Sequence, residues 1–141
     1  MDKQYPKIVT GIFILNSQNQ ILLVKSYKWP NIWAVPGGHI EWGESIAHTA
    51  VREAKEEVGL DITFEKIISV AEFINDPHFY KQKHFIAIQC LCKTTTDTVL
   101  KLDNDEIQDY QWFDLNTAIN LSNLLDISKN AIKKILAQQY V

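Results

Sequence analysis

Three glutamates in one short stretch of the chain are the residues whose type and spacing best suit chemistry. Glu53, Glu56 and Glu57 stand at i, i+3 and i+4 in the segment AVREAKEEVGL. If this segment is helical, the three carboxylates share one face and repel one another. Hard divalent cations take oxygen ligands, so a bound cation would relieve this repulsion. The spacing therefore predicts a metal site on a helix.

The residues around the glutamates suit a helix that docks on a core. At about 100° per residue, one side of the helix is apolar. This stripe consists of Ala47, Ala50, Val51, Ala54 and Val58. Gly59 suits the left-handed residue that ends a helix, and paired glycines at 37 and 38 let the backbone approach a ligand. We expect a loop over Gly37–Gly43 and then a helix from about Ser45 to Val58.

The segment Gly38–Leu60 resembles the signature of the Nudix hydrolases, G-x5-E-x7-R-E-U-x-E-E-x-G-U, where U is an aliphatic residue. The matching positions are Gly38, Glu44, Arg52, Glu53, Ala54, Glu56, Glu57, Gly59 and Leu60. Ala54 is smaller than the usual aliphatic residue, which we interpret as a variation in packing. A solvated acidic face is the common explanation of a run of charges, but the complete signature favours metal binding.

The resemblance implies that Glu53, Glu56 and Glu57 bind metal together with the backbone carbonyl of Gly37. Mg²⁺ is the expected ion and Mn²⁺ a common substitute, because both take carboxylate, carbonyl and water ligands and engage substrate phosphates. The chemistry that fits is attack of water on a phosphorus atom of a diphosphate.

Further catalytic residues are also implied by the resemblance. In similar triphosphatases the general base is a glutamate of the signature, which corresponds to Glu53 here. In other branches of the family it is a glutamate on a distant loop. Glu106 is the best candidate for that second role, with metal binding and an exposed loop acid as its alternatives. Arg52 is expected to orient Glu53 through a charge-assisted hydrogen bond, unless it forms only a weak surface ion pair. Glu44 either supports the metal ligands from behind, as the resemblance favours, or caps the helix.

Aromatic and polar residues near the signature are the candidates for substrate contact, since a ring can stack on a nucleobase. The candidates are Gly38, His39, Tyr27, Trp29, His78, Phe79 and Tyr80. Core packing is the alternative for the last three, and it remains open there. We expect core packing for Trp33, Phe73 and Trp112, and solvent exposure for His48.

Length and composition restrict the class of protein. The chain has 141 residues, which fits one domain. A net charge of −3 with a single arginine argues against binding to a nucleic acid polymer. We find no run of apolar residues long enough to cross a bilayer and no apolar signal core, so we expect a cytoplasmic protein without membrane contact. Cys90 and Cys92 are expected to be buried free thiols, because a zinc site would need more ligands nearby.

Hydrophobic patterning supplies the elements that position the signature. Strands are predicted at Lys7–Leu15, Gln20–Tyr27, Ile32–Val35, Asp61–Asn75, His84–Lys93 and Glu106–Phe113. Asp114 is predicted to cap a short helical turn, and Asp126 to cap a closing amphipathic helix over Ile127–Gln138. The residues 94–105 are predicted to connect two strands, with room for a short edge strand. Strands on both sides of a helix favour an α/β fold, a Nudix-type α/β/α sandwich around a mixed β-sheet, in one domain over residues 1–141.

The predicted function is Mg²⁺-dependent hydrolysis of a nucleoside diphosphate linked to another group. Within that class we favour the MutT-like branch, which cleaves a nucleoside or deoxynucleoside triphosphate to monophosphate and pyrophosphate, because the chain is short and carries no added substrate-binding segment. One alternative is a pyrophosphatase acting on ADP-ribose or a nucleotide sugar. Another is a nucleotide-sensing module without turnover. The partner is a small nucleotide, and the sequence leaves monomer and homodimer open.

Overall fold

The computed structural model describes residues 3–96 and 100–139. Seven strands and three helices occupy these residues in chain order. They are β1 Lys7–Leu15, β2 Gln20–Ser26, β3 Trp33–Ala34, β4 Gly37–His39, α1 Ile46–Val58, β5 Thr63–Ile74, β6 His84–Lys93, β7 Ile107–Asp114, α2 Leu115–Ala118 and α3 Asp126–Gln139. Residues 97–99 of the predicted connection lie outside the described residues, and its described remainder forms no strand.

Strand β1 is the centre of a mixed sheet. Along one edge it pairs in parallel with β6, from Lys7↔Phe85 to Leu15↔Lys93. Its other edge is shared, with β2 pairing only at Leu15↔Ile21 and β4 pairing over Val9, Thr10 and Gly11. Strands β3 and β7 pair with β2, and β5 pairs with the far edge of β6. Because β1 and β2 separate after one pair, the sheet opens at the end that carries β4.

Each face of the sheet has its own apolar core. On one face, Ala50, Ala54 and Val58 of α1 pack with alternate residues of β1, β2 and β6, including Ile12 and Ile14. On the other face, helices α2 and α3 cover a second cluster. That cluster includes Phe13, Leu15, Leu91, Leu115, Ala131, Ile132 and Ile135. The predicted α/β/α sandwich around a mixed sheet is therefore confirmed.

Helix α1 has both predicted ends. Ser45 is its N-cap, and the Ser45 hydroxyl accepts a hydrogen bond from the backbone N–H of His48 at 3.1 Å. Gly59 ends it with a left-handed backbone of φ 68°. The predicted stripe is wrong at Val51, which is 41% exposed, whereas Glu57 is 6% exposed. The helix is rotated so that Glu57 can reach the backbone of β4, and this turns Val51 towards solvent.

The predicted loop over Gly37–Gly43 is wrong in its first part, because Gly37–His39 forms strand β4. A Cβ atom at Gly37 would collide with the backbone carbonyl oxygen of Thr10, so only glycine allows this close pairing with β1.

Two smaller differences concern helix ends. Asp114 precedes α2 without a capping side-chain bond, and Asp126 is the first residue of α3 rather than a residue before it.

The remaining strand predictions hold within a residue or two at their ends. Strand β5 has two register shifts against β6, at Phe64/Lys66 and Ile67/Ser69. Trp112 packs against the core on the α1 side, as predicted. No helix in the described residues is long and apolar enough to cross a membrane.

Candidate active site

Arg52 on α1 joins the acidic residues of the signature into one network. Its Nε and Nη2 atoms donate to the two carboxylate oxygens of Glu44 at 2.6 and 2.9 Å. Its Nη1 atom donates to Glu53 at 2.8 Å and to Glu56 at 3.1 Å. Nη2 also donates to the backbone carbonyl of His39 on β4 at 3.1 Å. Arg52 therefore holds three signature glutamates and ties the helix to the strand.

Glu44 occupies a position behind the face that carries Glu53 and Glu56. Besides Arg52, it accepts hydrogen bonds from the Thr49 hydroxyl at 2.7 Å and the Glu41 backbone at 3.2 Å. These bonds, that of Arg52 first, hold the pKa of Glu44 far below its usual range. Ser45 caps the helix instead, so the structure places Glu44 as a support for Arg52 and not as a cap.

Glu57 is a carboxyl group buried among other acids. One oxygen accepts a hydrogen bond from the Gly37 backbone N–H at 2.9 Å. Burial first, and then the charge of Glu53, raise the pKa of Glu57 to about 9, and Glu106 adds to the effect. Burial likewise raises the pKa of Glu53, although the bond from Arg52 opposes this. Acids held so close together need a compensating positive charge.

A divalent cation fits the donor types at this place. Within the described residues, no three acidic, His or Cys side chains already surround one point. The oxygens of Glu53 and Glu56 turn to Arg52, and the Glu56 side chain is 58% exposed. Carboxylates beside a backbone strand of glycines nevertheless offer the oxygen ligands that Mg²⁺ takes. Ligation by Glu53, Glu56, Glu57 and the Gly37 carbonyl stays a prediction. It is supported by the burial of the Glu57 carboxyl beside Glu53 and Glu106.

The structure brings Glu106 to the same place, although it lies about fifty residues further along the chain. It ends the turn before β7, and its carboxylate accepts a hydrogen bond from Lys28 Nζ at 2.9 Å. The bond from Lys28 lowers the pKa of Glu106, and Glu57 lies within hydrogen-bond reach. Sequence reasoning missed Lys28, because only the fold reveals that the loop after β2 meets the turn before β7.

A cavity opens beside these acids where β1 and β2 separate. The acidic side is lined by Glu57 and Glu106, together with Gly37, Gly38, His39 and Lys28. Aromatic rings line another side and contact one another edge to face. The centroids of Trp29 and Phe79 are 4.8 Å apart, and those of Trp29 and Phe73 are 5.6 Å apart. An anion and a flat ring can therefore be bound in one cavity.

The substrate-contact candidates divide into two groups. Gly38, His39, Trp29 and Phe79 line the cavity. Tyr27, His78 and Tyr80 do not line it, which corrects the sequence-based expectation for their position. Tyr27 and Tyr80 are about half exposed, and the His78 ring lies 2.9 Å from the Asp76 carboxylate on the outside of the loop. Each of the two loops thus points one aromatic side chain, Trp29 or Phe79, into the cavity. A nearby tyrosine, Tyr27 or Tyr80, points outwards.

Two core predictions and several missed residues concern the cavity wall. Trp33 is 8% exposed and packs on Phe113, as predicted for a core residue. Phe73 is half-buried and belongs to neither core cluster, so its predicted core position is wrong; it lines the cavity instead. Phe85 and Gln89 of β6 also line the cavity and were not foreseen. A polar residue inside the apolar run FIAIQCLC was the available signal for Gln89.

The sequence profile of the NUDIX domain matches residues 5–137. The chain belongs to the Nudix hydrolase family. Among curated relatives it is 33% identical over 118 residues to Nudix hydrolase 5 of Arabidopsis thaliana, a match that covers 81% of this chain and 38% of the relative. It thus spans well under two thirds of that relative's length.

Solved structures show the same Nudix fold. The crystal structure of the MutT protein from Methanosarcina mazei Go1 superposes with a TM-score of 0.79 at 21% identity, covering 99% of this chain and 100% of the other. A UDP-X diphosphatase superposes with a TM-score of 0.71 at 25% identity, covering 100% of this Nudix chain and 67% of the other. Nudix enzymes hydrolyse phosphoric anhydrides of nucleoside diphosphate derivatives, which agrees with the expected reaction class.

Proposed function

We propose that this Nudix chain hydrolyses nucleoside or deoxynucleoside triphosphates to a monophosphate and pyrophosphate, with Mg²⁺ as the metal. The observation that carries the proposal is the cavity, which joins the acids Glu57 and Glu106 to the aromatic residues Trp29, Phe73 and Phe79. Phosphates need the cation that the acids attract, and a nucleobase needs a flat apolar wall. Both requirements are met within one cavity.

In this proposal Glu53, Glu56, Glu57 and the Gly37 carbonyl hold Mg²⁺, and Mn²⁺ can substitute. When bound, the ion supplies neutralisation of charge on the phosphate oxygens and lowers the pKa of the attacking water. Glu57 is kept in place by the Gly37 N–H, so that burial and the strand, rather than solvent, determine its position. Glu56, the most exposed of the three side chains, forms the outer edge of the site.

Glu53 is the preferred general base. Arg52 holds one of its oxygens at 2.8 Å, which leaves the other oxygen available to accept a proton from water. Glu106 is the second candidate, but its carboxylate is already paired with Lys28. That ion pair lines the cavity, where Lys28 would bind a substrate phosphate and Glu106 would help to hold the metal. Glu44 holds Arg52 in place, so that Arg52 can orient Glu53 and Glu56.

A second candidate function is hydrolysis of ADP-ribose or a nucleotide sugar. The structural similarity to a UDP-X diphosphatase favours it. Both substrate classes present a diphosphate to the same acids, so the distinction depends on the group attached to the second phosphate. A third possibility, nucleotide sensing without turnover, has less support because every acidic position of the signature is present.

An assay of a substrate panel decides among these functions. The purified protein is incubated with Mg²⁺ and dNTPs or NTPs, and pyrophosphatase converts released pyrophosphate to phosphate for malachite-green detection. ADP-ribose and UDP-glucose are tested with alkaline phosphatase, which acts on their products but not on the intact diesters. Turnover of triphosphates that stops in chelator supports the proposal. Turnover of ADP-ribose or UDP-glucose alone contradicts it, and binding without turnover of any compound would establish a sensor.

A further inference from the structure

The cavity extends along β6 from an aromatic mouth to the core beneath α3. Side chains of a strand alternate between faces, so Phe85, Ala87, Gln89 and Leu91 lie on the same face. Phe85 stacks edge to face on Phe79 at 5.2 Å, whereas Leu91 belongs to the core on the α3 side. Gln89 stands between them, at the inner end of the cavity. It is the last polar side chain of this row before the apolar interior.

Gln89 is almost completely buried, with 5% of its surface exposed. The Ser69 hydroxyl on β5 donates a hydrogen bond to its Oε1 atom. Its Nε2 atom has no hydrogen-bond partner among the described residues. Every fully buried polar side-chain atom of these residues does have a partner. Nε2 therefore keeps some accessible surface, and Gln89 is one of the residues that line the cavity. The two N–H donors of this amide are thus available to a ligand bound there.

Gly11 on β1 leaves space beside this amide. It is the register partner of Gln89 in the parallel pair of β1 and β6. A Cβ atom at Gly11 would lie 3.8 Å from Gln89 Cγ and 3.5 Å from Val35 Cγ2, which are ordinary contacts. The glycine is thus not needed for backbone pairing, but any longer side chain would fill the cavity. Glycine within a strand often marks the approach of a ligand.

We propose that Gln89 is a specificity residue that selects nucleobases with a carbonyl group at the edge farthest from the sugar. This inference rests on the proposed function, in which the phosphates bind beside Glu57 and Glu106. The distal edge of the base then points inwards, towards the Gln89 amide. A carbonyl oxygen accepts a hydrogen bond from Nε2, whereas an amino group would place donor against donor. Hypoxanthine, guanine, uracil and thymine are accepted, and adenine and cytosine are disfavoured.

The test compares ITP with ATP, whose bases differ at this edge by a carbonyl or an amino group. We expect kcat/KM to be about 10- to 100-fold higher for ITP, the range for one buried donor left with or without a partner. Gln89→Met keeps the length of the side chain and removes its donors, so it should bring the ratio to within about threefold. Gln111→Met, the same change at an exposed site on β7, should leave the ratio unaltered. Gly11→Leu should lower kcat/KM for both nucleotides, with folding checked by circular dichroism.

The outcomes separate this inference from the proposed function. A preference for ATP, an unchanged ratio in Gln89→Met, or full activity of Gly11→Leu would overturn the inference. If no triphosphate is hydrolysed, the proposed function fails, and binding of IMP and AMP without metal is measured by tryptophan fluorescence. Tighter binding of IMP that is lost in Gln89→Met then still supports the role of Gln89, and equal binding of IMP and AMP refutes it.

Discussion

Arg52 explains why the acidic helix can exist with its glutamates side by side. It donates hydrogen bonds to Glu44, Glu53 and Glu56, so one positive charge is shared among three carboxylates. Arginine is suited to this role because its planar group offers five donors in fixed directions. Glu57, however, lies outside its reach and has only a backbone N–H as a donor. Arg52 therefore orders the helix, whereas Glu57, whose pKa burial raises to about 9, would regain its charge only beside a cation.

Replacement of Glu53 by Gln is expected to reduce kcat by about three orders of magnitude or more, since the amide cannot accept the proton of water. Circular dichroism and the thermal midpoint should change little, because Gln keeps the hydrogen-bond acceptor for Arg52. Glu72→Gln, at an exposed position on β5, is the matched control and should retain full activity. An unchanged kcat in Glu53→Gln would remove Glu53 from the mechanism.

Replacement of Glu57 by Gln separates metal binding from folding. Without metal at pH 7, the variant should be more stable than the wild type by on the order of 1–3 kcal/mol. Burial raises the pKa of Glu57 to about 9, so the wild type must protonate this carboxyl in order to fold, whereas an amide needs no proton. Mg²⁺ should stabilise the wild type by about 1.4 kcal/mol at ten times its Kd. It should stabilise Glu57→Gln much less. Urea denaturation with and without Mg²⁺ measures both effects, and an equal response to Mg²⁺ in the two proteins would show that Glu57 is not a ligand.

Strand β4 is the element that brings the glycines of the signature against the acids of α1. Its pairing with β1 places Gly37 opposite Gly11 and Gly38 opposite Thr10. The backbone of Gly38 lies against the Glu53 carboxylate, where a Cβ atom would collide with the carboxylate carbon and oxygens. The strand thus sets the distance between Glu53 and the glycine backbone, and any side chain at this position would have to displace the Glu53 carboxylate.

Gly38→Ala should therefore displace Glu53 and lower kcat at least tenfold, with a loss of stability of about 1–3 kcal/mol from overpacking. Gly43→Ala provides a contrast, because its Cβ would meet nothing within 4 Å although the backbone has φ 79°. That variant should lose about 1–2 kcal/mol through backbone strain and keep its activity. Steady-state kinetics and thermal melts compare the two, and equal activities would contradict the packing argument.

One strand of the sheet, β6, contributes residues both to the core and to the cavity. Strand β6 lies between β1 and β5 and carries Cys90 and Cys92 in the core on the α1 side. Both cysteines are free and have no exposed surface. The same strand continues to Gln89 and Phe85 in the cavity. A reagent that reaches the thiols must first open the sheet that supports the cavity.

The two thiols should thus report global unfolding. Burial raises the pKa of Cys90 to about 11 and that of Cys92 to about 12, so both remain protonated at pH 8. We expect no reaction with Ellman's reagent in the native protein at that pH. Two equivalents should react in denaturant, where the pKa returns to its ordinary value. Rapid reaction of either thiol in the native protein would show that β6 is exposed by local opening.

Much of the site could be predicted because its residues are close in sequence. One loop and one helix carry Glu44, Arg52, Glu53, Glu56 and Glu57. Helical geometry alone relates the last four of these residues. The apolar runs of β1 and β6 likewise predict buried strands, which the structure confirms. The predictions failed where a distant partner decides the outcome. Val51, Phe73 and the loop at Gly37 each depend on which strand or helix packs against them.

The sequence by itself determined the helix that carries the acids and predicted the reaction class, since the spacing of charges along a helix is a local property. The tertiary structure decided everything that depends on the separation of β1 and β2. It brought Lys28 to Glu106, turned Trp29 and Phe79 inwards, and placed Gln89 at the inner end of the cavity. These contacts join residues far apart in the chain, and long-range pairing in the sheet, rather than local spacing, creates them.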